Sequence, residues 1–440
     1  MRYLLVMGFI ALAIPISFLR PVYAASFLIW ADIFRPFSWA KTYEPFQIAL
    51  VVVAVLAASF TIGLIRKQIT LRPNRATICM AIFLGWSFIS AYLAPNRDFA
   101  MVGFLTEIKI LAPILFISMT IATLNDAKVL LWTLALSVGI YGAQAGVHAI
   151  IVGHPVTDMA IDGGQMTDRN DFILAVLVSL PLLLFIVKHY KGYFRIPVRI
   201  LIGLFMVFSV IAVPLSNSRG GILGLAVTVL FTTALSKRKW RNLALLIALT
   251  PLILLAVPQS VWERMNTIEL GEHQEEGSAA ERLQQMTGGI HMARDNPLTG
   301  VGPYSFINYI LDYTPAKLEA HSVFIKCAAE LGIPGLLIYL GSLFYIFMGL
   351  FSIYRRYFGI DKFISSLAVS LCMSHISFWA TAAFVNQLYS EYYWCLIALS
   401  GGVISVVKER EIAIKKERLR IRSFGTNPGL ASATGAVDPS

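Results

Sequence analysis

The sequence predicts an all-α polytopic membrane protein: a bundle of about twelve transmembrane helices with one large exported loop that carries short helices. Three observations lead there. Hydrophobic residues make up 57% of the 440 positions and charged residues 14%, with a mean hydropathy of +0.70, which sets the chain apart from soluble domains. Apolar runs long enough to cross a hydrocarbon core of roughly 30 Å recur along its length. Backbone groups facing lipid must pair within their own segment, and the runs are too continuous for the alternation of barrel strands, so they are helices.

At the start, Leu4 to Leu19 can span. Val22 to Phe34 is apolar but short and reads as an interfacial or half-inserted helix, leaving Met1 and Arg2 on the cytoplasmic side. A cleaved signal ending near Val22-Tyr23-Ala24 is disfavoured by Arg20-Pro21. Further spans are expected at 44–65, 76–94, 108–123, 128–146, 172–187, 199–216, 220–235, 242–257, 334–353, 363–385 and 394–407. If these alternate, the connections holding Arg66, Lys67, Arg72 and Arg75, then Lys188, Lys191, Arg195 and Arg199, then Lys237 to Arg241, then Arg355 and Arg356 fall on one side. Excess Lys and Arg marks that side as cytoplasmic. The resulting organisation is an N-terminal bundle (1–257), an exported loop (258–333), C-terminal spans (334–407) and a basic cytoplasmic tail (408–440). Lys408 to Arg422 suits the anionic membrane surface, whereas Gly425 to Ser440 reads as disordered. Tethered to a bilayer, this basic run is a poor nucleic-acid site.

Loop charge agrees with the orientation. Val257 to Pro334 carries a net −5 in a chain of +11, so the remainder sums to +16. An acidic segment of that size belongs on the far side of the membrane. The four cysteines (Cys79, Cys327, Cys372, Cys395) lack metal-site spacing and read as core-filling residues. There is no Asp-x-Asp motif, phosphate-binding Gly-Lys-Ser/Thr loop, dinucleotide fingerprint or His-Glu-x-x-His zinc site. Nucleotide chemistry and a resident metal or other cofactor are therefore not expected.

Chemistry has to come from polar residues at the exported face. Ser216-Asn217-Ser218-Arg219-Gly220-Gly221 is a polar hairpin between two spans. A guanidinium at a helix N-terminus makes an anion cradle, and an arginine snorkelling to lipid phosphate is the equal alternative. Ser278-Ala279-Ala280-Glu281 has the form of a capping box, placing Arg282 in the first turn of a surface helix with Leu283, Met286 and Ile290 as its apolar stripe. Arg282 could equally be a solvated residue paired with a nearby carboxylate. Ala320-His321-Ser322 opens a helix that runs to Leu331 and stops at Gly332. In a first turn the helix dipole would keep His321 neutral and able to act as a general base, although a lone histidine is more often structural.

Taken together with Asp295-Asn296-Pro297-Leu298-Thr299-Gly300-Val301-Gly302 and Glu330-Leu331-Gly332-Ile333-Pro334-Gly335, these pieces resemble the O-antigen ligase superfamily. That group includes O-antigen ligases, O-antigen polymerases and exosortase-associated protein O-glycosylation ligases. The resemblance implies a metal-independent, inverting glycosyltransferase in the bacterial inner membrane with its active site facing the periplasm. Its donor would be an undecaprenyl-diphosphate-linked glycan. Its acceptor would be a hydroxyl of lipid A-core sugar, or alternatively the growing polymer or a protein. By the same resemblance, Arg219 and Arg282 would bind the diphosphate and His321 would be catalytic. Lys109, at an outer span end, and Asn170, near the start of the span at 172, would be further substrate contacts. A lipid-linked-sugar transporter is the remoter alternative. It would want ionisable residues within several spans and internal repeats, and neither is evident.

Overall fold

The computed structural model describes residues 2–42, 44, 47–152, 166, 168–216, 218–235, 275–315 and 319–425. Helix accounts for 82% of it, and no strand occurs among the described residues. The helices are α1 (Arg2–Ser17), α2 (Pro21–Ile29), α3 (Pro36–Trp39), α4 (Ile48–Ile65), α5 (Arg75–Leu93), α6 (Arg97–Met119), α7 (Leu124–Val152), α8 (Arg169–His189), α9 (Arg195–Leu215), α10 (Arg219–Ala234), α11 (Glu275–Asp295), α12 (Phe306–Tyr309), α13 (Val323–Tyr357), α14 (Lys362–Ala382) and α15 (Glu391–Gly425). Among the described residues, eight (α4 to α9, α13 and α14) are long and apolar enough to cross a membrane. The expected span at 242–257 lies outside the described residues.

Several of the long helices start on a side chain that replaces a missing backbone partner. Asn74 accepts from the Thr77 amide at 3.1 Å, Asn96 from Phe99 at 3.1 Å, and Asp361 from Phe363 and Ile364 at 2.9 and 3.1 Å. At the middle of the bundle is α8, with 78% of its apolar window buried, packed against α7, α9, α10 and α14. Close approach of α7 and α9 requires Gly146, where a Cβ would lie 2.0 Å from the Phe208 carbonyl oxygen, the small-residue packing common between membrane helices. All four cysteines are buried and unpaired, and His375 is held inside by Tyr393 and Ser400 at 3.1 and 3.0 Å.

Alternation of the helices gives the bundle two unlike ends. One gathers Arg66, Lys67, Arg72, Lys188, Arg199 and Arg355 and is called the basic end here; the other, the loop end, gathers 94–97, 168–171, 216, 218, 219, 275–315 and 319–321.

At the N-terminus the structure departs from the expected single span with an interfacial segment. Ser59 and Arg66 of the α4 region donate to the carbonyls of Ser17 and Phe18 at 2.5 and 3.2 Å, so α1 finishes at the basic end. There Arg20 pairs with Asp126 at 3.0 Å. The chain then turns back: α2 continues through a wider turn at Trp30–Phe34, and the Phe34 carbonyl accepts from Tyr141 at 2.8 Å, far along α7. The two segments are therefore antiparallel, and Arg2 lies over Trp39 at the loop end. The physical reason is burial. Val22, Ala24, Ala25, Phe27, Leu28 and Ile29 are all enclosed by protein, so fourteen residues, about 21 Å of helix, need not match the bilayer alone.

Two other boundaries moved. Capped by Asn96, α6 begins at Arg97, so the charged pair Glu107 and Lys109 falls mid-helix: Glu107 is buried and bonded by Ser87, while Lys109 is exposed. The basic run after 407 does not turn onto a surface. It prolongs α15, held to the α13–α14 turn by Arg356–Glu411 and by Arg410–Asp361 at 4.0 Å.

This arrangement makes a labelling prediction. Because the native cysteines are buried, single cysteines at Arg2 and at Arg97 should react with an impermeant thiol reagent from the same side of the membrane, and one at Lys67 from the opposite side. Shared labelling of Arg2→Cys and Lys67→Cys would contradict the paired α1–α2 arrangement.

Candidate functional site

The site grows from a break in a helix. Gly332 has φ +70° and ψ 179°, which interrupts α13, and Pro334 has no amide to offer the Glu330 carbonyl four residues back. Carbonyls released within a membrane protein must find other partners. The Asn296–Gly302 loop supplies them. Val301 donates to the Ala329 carbonyl at 3.0 Å and Gly302 to the Glu330 carbonyl at 2.8 Å, while the freed Ile333 amide donates to Pro297 at 2.8 Å. Trp86 completes the set by donating to the Leu331 carbonyl at 2.8 Å, and Ser90 bridges the carbonyls of Thr299 and Glu330 at 2.6 and 3.0 Å. The two motifs of the loop are thus one clasp, seated on α5 and α6.

Through this clasp α11 is fixed to α13. Its inner face carries Gln285, Gly288, Gly289 and Met292, packed on Ile310, Thr314, Phe306 and Ile325. One sequence expectation changes here. Helix α11 already runs from Glu275, so Ser278 lies inside it and Arg282 sits about two turns in, not in the first turn. Leu283 and Ile290 are 64% and 55% exposed, on the outer face of this helix.

His321 also differs from expectation. The cap of α13 is Ser322, with φ −157° and ψ 122°, so His321 stands just before the helix, half-buried, and outside its first turn. The dipole argument for a neutral imidazole therefore loses its geometry. Around this point lies a cluster of ions, buried at Lys326 and Glu330 and half-exposed at Glu319. Lys326 bonds Glu319 at 2.9 Å and approaches Glu330 at 3.8 Å. Glu330 in turn accepts from the Phe306 amide at 3.1 Å and the Tyr389 hydroxyl at 2.7 Å. Tyr304 stacks on Tyr389 at 4.2 Å. Burial, reinforced by the carboxylates of Glu107 and Glu330, pushes the Tyr304 phenol well above its ordinary range, so it remains a neutral donor. Tyr313, bonded to Asp295 at 2.9 Å, is pushed up to about 12 by burial and then by that hydrogen bond.

The hairpin joins the same end. Ser218 caps α10 by accepting from Gly221 at 3.0 Å and donates to the Asn170 side chain at 2.7 Å. Close approach requires Gly221, where a Cβ would meet Ile173 at 2.6 Å. Arg219 is thereby the first residue of α10, and Asn170 is in direct contact with its cap. Next to it, Asp171 is hydrogen-bonded to Gln387 and interacts electrostatically with Lys326 and Glu319. The structure therefore gathers Asn170, the start of α10 and the segment preceding α13. It does not gather Lys109, which sits about three turns into α6, is exposed, and forms no ion pair with a described residue. The side chains of Arg219 and Arg282 lie outside the described residues.

Residues 204–340 match the O-antigen ligase family model. Over that segment, 137 of the 440 residues, the chain is similar to O-antigen ligases. Residues 1–191 match a family of unknown function (DUF5935), and no curated protein matches. The O-antigen ligase match runs from α9 through the clasp into α13, so it contains Arg219, Arg282, His321 and Glu330 but neither Asn170 nor Tyr389, which complete the cluster from α8 and the connection before α15. Sequence reading passed over Lys326 and Glu330 because, one basic and one acidic, they cancel in the loop's net charge. Glu330 was visible only as a letter of its motif, and Tyr389 and Gln387 carried no signal.

The clasp predicts a contrast between two glycines of α13. Ala at Gly332 must adopt a left-handed φ and place its Cβ 2.3 Å from the Leu298 carbonyl oxygen, whereas Gly341 has open space around it. Gly332→Ala should lower stability by at least about 2 kcal/mol, and Gly341→Ala should be neutral or stabilise by up to about 1 kcal/mol. Thermal unfolding of the purified proteins in one detergent measures both.

Proposed function

We propose that this chain is a periplasmic-face glycosyltransferase of the O-antigen ligase type. It moves a glycan from undecaprenyl diphosphate to an acceptor hydroxyl, foremost that of lipid A-core sugar. Growing polymer and protein are the alternative acceptors within the same superfamily. The observation that carries the reading is the convergence at the loop end. Asn170 holds the cap of the helix that Arg219 begins, its neighbour Asp171 interacts with Lys326 and Glu319 beside His321, and the clasp fixes the helix of Arg282 to the same place.

The chemistry follows from the residue types. The acceptor oxygen bonds to the anomeric carbon as the bond from that carbon to the diphosphate oxygen breaks, with inversion. His321 takes the acceptor's proton, a contribution of about 10²–10⁴-fold in rate. Negative charge develops on the departing diphosphate, and the Arg219 and Arg282 guanidinium groups neutralise it with bidentate, charge-assisted hydrogen bonds. Lys326 does not share that task, since Glu319 and Glu330 already engage it.

Arg219→Ala and Arg282→Ala should insert normally and lose transfer, with Lys restoring only part of it because an ammonium lacks the planar fork. Full transfer by Arg282→Ala would remove that residue from the site. His321→Ala should still bind the lipid-linked donor while turnover falls by about 10²–10⁴. A donor-binding assay beside a transfer assay separates these outcomes: loss of binding in His321→Ala would make the residue a substrate contact.

A further inference from the structure

At the basic end, opposite the site, a cavity of about 760 Å³ opens between α8, α10, α13 and α14. Its origin is a mismatch of lengths. Helices α8 and α10 are tied together at the loop end by Asn170 and Ser218, but α10 has 16 residues and α8 has 21. At 1.5 Å per residue, α8 overruns α10 by about 8 Å toward the basic end. Among the described residues, the space beneath Leu235 is bordered by α13 and α14, with Tyr354 donating to the Leu235 carbonyl at 3.3 Å.

The lining is graded. The inner wall is apolar, formed by Pro181, Leu184, Val369 and Met373, and a hydroxyl belt of Ser365, Ser366 and Ser370 follows on α14. At the mouth stand Lys188 and Lys362, both exposed, and His189, stacked on Phe185 at 4.8 Å. The charged neighbours of His189 are Lys188, Lys191, Arg199 and one acid, Asp361. That acid is occupied in capping α14 and is approached by Arg410 at 4.0 Å. The mouth is therefore cationic, over a volume within the roughly 300–1,000 Å³ of small-molecule sites.

We infer that this cavity binds an anionic phospholipid of the adjoining leaflet, its phosphate at Lys188 and Lys362, its glycerol region on the serine belt and an acyl chain along the apolar wall. Basic pockets between membrane helices are suited to such headgroups. A free phosphate would leave the apolar wall without a partner, and a zwitterionic lipid would bring its own cation to a mouth that is already cationic. The inference is independent of the transferase reading, since none of these residues belongs to the loop-end site.

The test is thermal unfolding of the purified full chain in detergent, titrated separately with phosphatidylglycerol, phosphatidylcholine and inorganic phosphate. Phosphatidylglycerol should raise the midpoint saturably, and the other two should not. In Lys188→Ala/Lys362→Ala the apparent affinity for phosphatidylglycerol should fall roughly tenfold to thirtyfold, as expected for the loss of two cationic contacts. If that protein does not survive purification, Ser366→Phe, which fills the cavity from its half-buried wall, is read in the same way. Equal stabilisation by phosphatidylcholine, or by phosphate alone, overturns the proposal, as does undiminished phosphatidylglycerol stabilisation in whichever variant folds.

Discussion

A membrane helix cannot be broken without cost to its own backbone, because no water is at hand to receive the amides and carbonyls that the break releases. Much of the loop end depends on how α13 meets that constraint. Gly332 and Pro334 together strip partners from Ala329, Glu330 and Leu331, and the Asn296–Gly302 loop, Ser90 and Trp86 take their places. The same bonds anchor the loop to the bundle. They bring α11 to α13 and seat Pro303 and Tyr304 on Gly103 of α6, where a Cβ would lie 2.2 Å from the Pro303 carbonyl oxygen. Orientation of the loop against the bundle is thus a consequence of backbone satisfaction.

Charge at this end obeys a related rule. Taking ions out of water is tolerated when each finds partners, and removing one member of a buried pair costs about 3–5 kcal/mol. Lys326 lies between Glu319 and Glu330, and Glu330 is further fixed by an amide and a phenol from two different segments. A carboxylate held by three partners has little freedom, so it rigidifies the ground on which His321 stands. The basic end is built otherwise. Its lysines remain in solvent at the mouth of an apolar cavity, a pattern suited to meeting a partner from outside the chain.

Much of this was legible in the residues. Membrane character, helical class, the direction of the long spans and the association of the hairpin, loop and α13 motifs could be read from composition, run length, basic connections and quoted motifs. What failed did so for identifiable reasons. Hydropathy measures transfer to lipid, so it undervalued α2, whose apolar residues are buried by protein over a length too short for a bilayer. It also trimmed α6, because Glu107 looks like a span end until Ser87 and burial give it a place inside. The capping-box pattern at Ser278 was locally plausible but lost to a helix already running from Glu275, and the Ser322 cap displaced His321 from the first turn by two residues.

By itself, then, the sequence determined which segments are apolar enough to leave water, that the basic connections collect at one end, and where Gly332 and Pro334 must interrupt a helix. These are local properties, set by transfer free energy and backbone sterics. Only the tertiary structure decided which loop would satisfy the broken helix, that Asn170 would hold the cap before Arg219, and that Lys326 and Glu330 would become one buried cluster with Tyr389. Those outcomes join residues far apart along the chain, and the physical reason is that a buried polar group is indifferent to sequence distance. It accepts whichever partner the packing of the helices brings within about 3 Å.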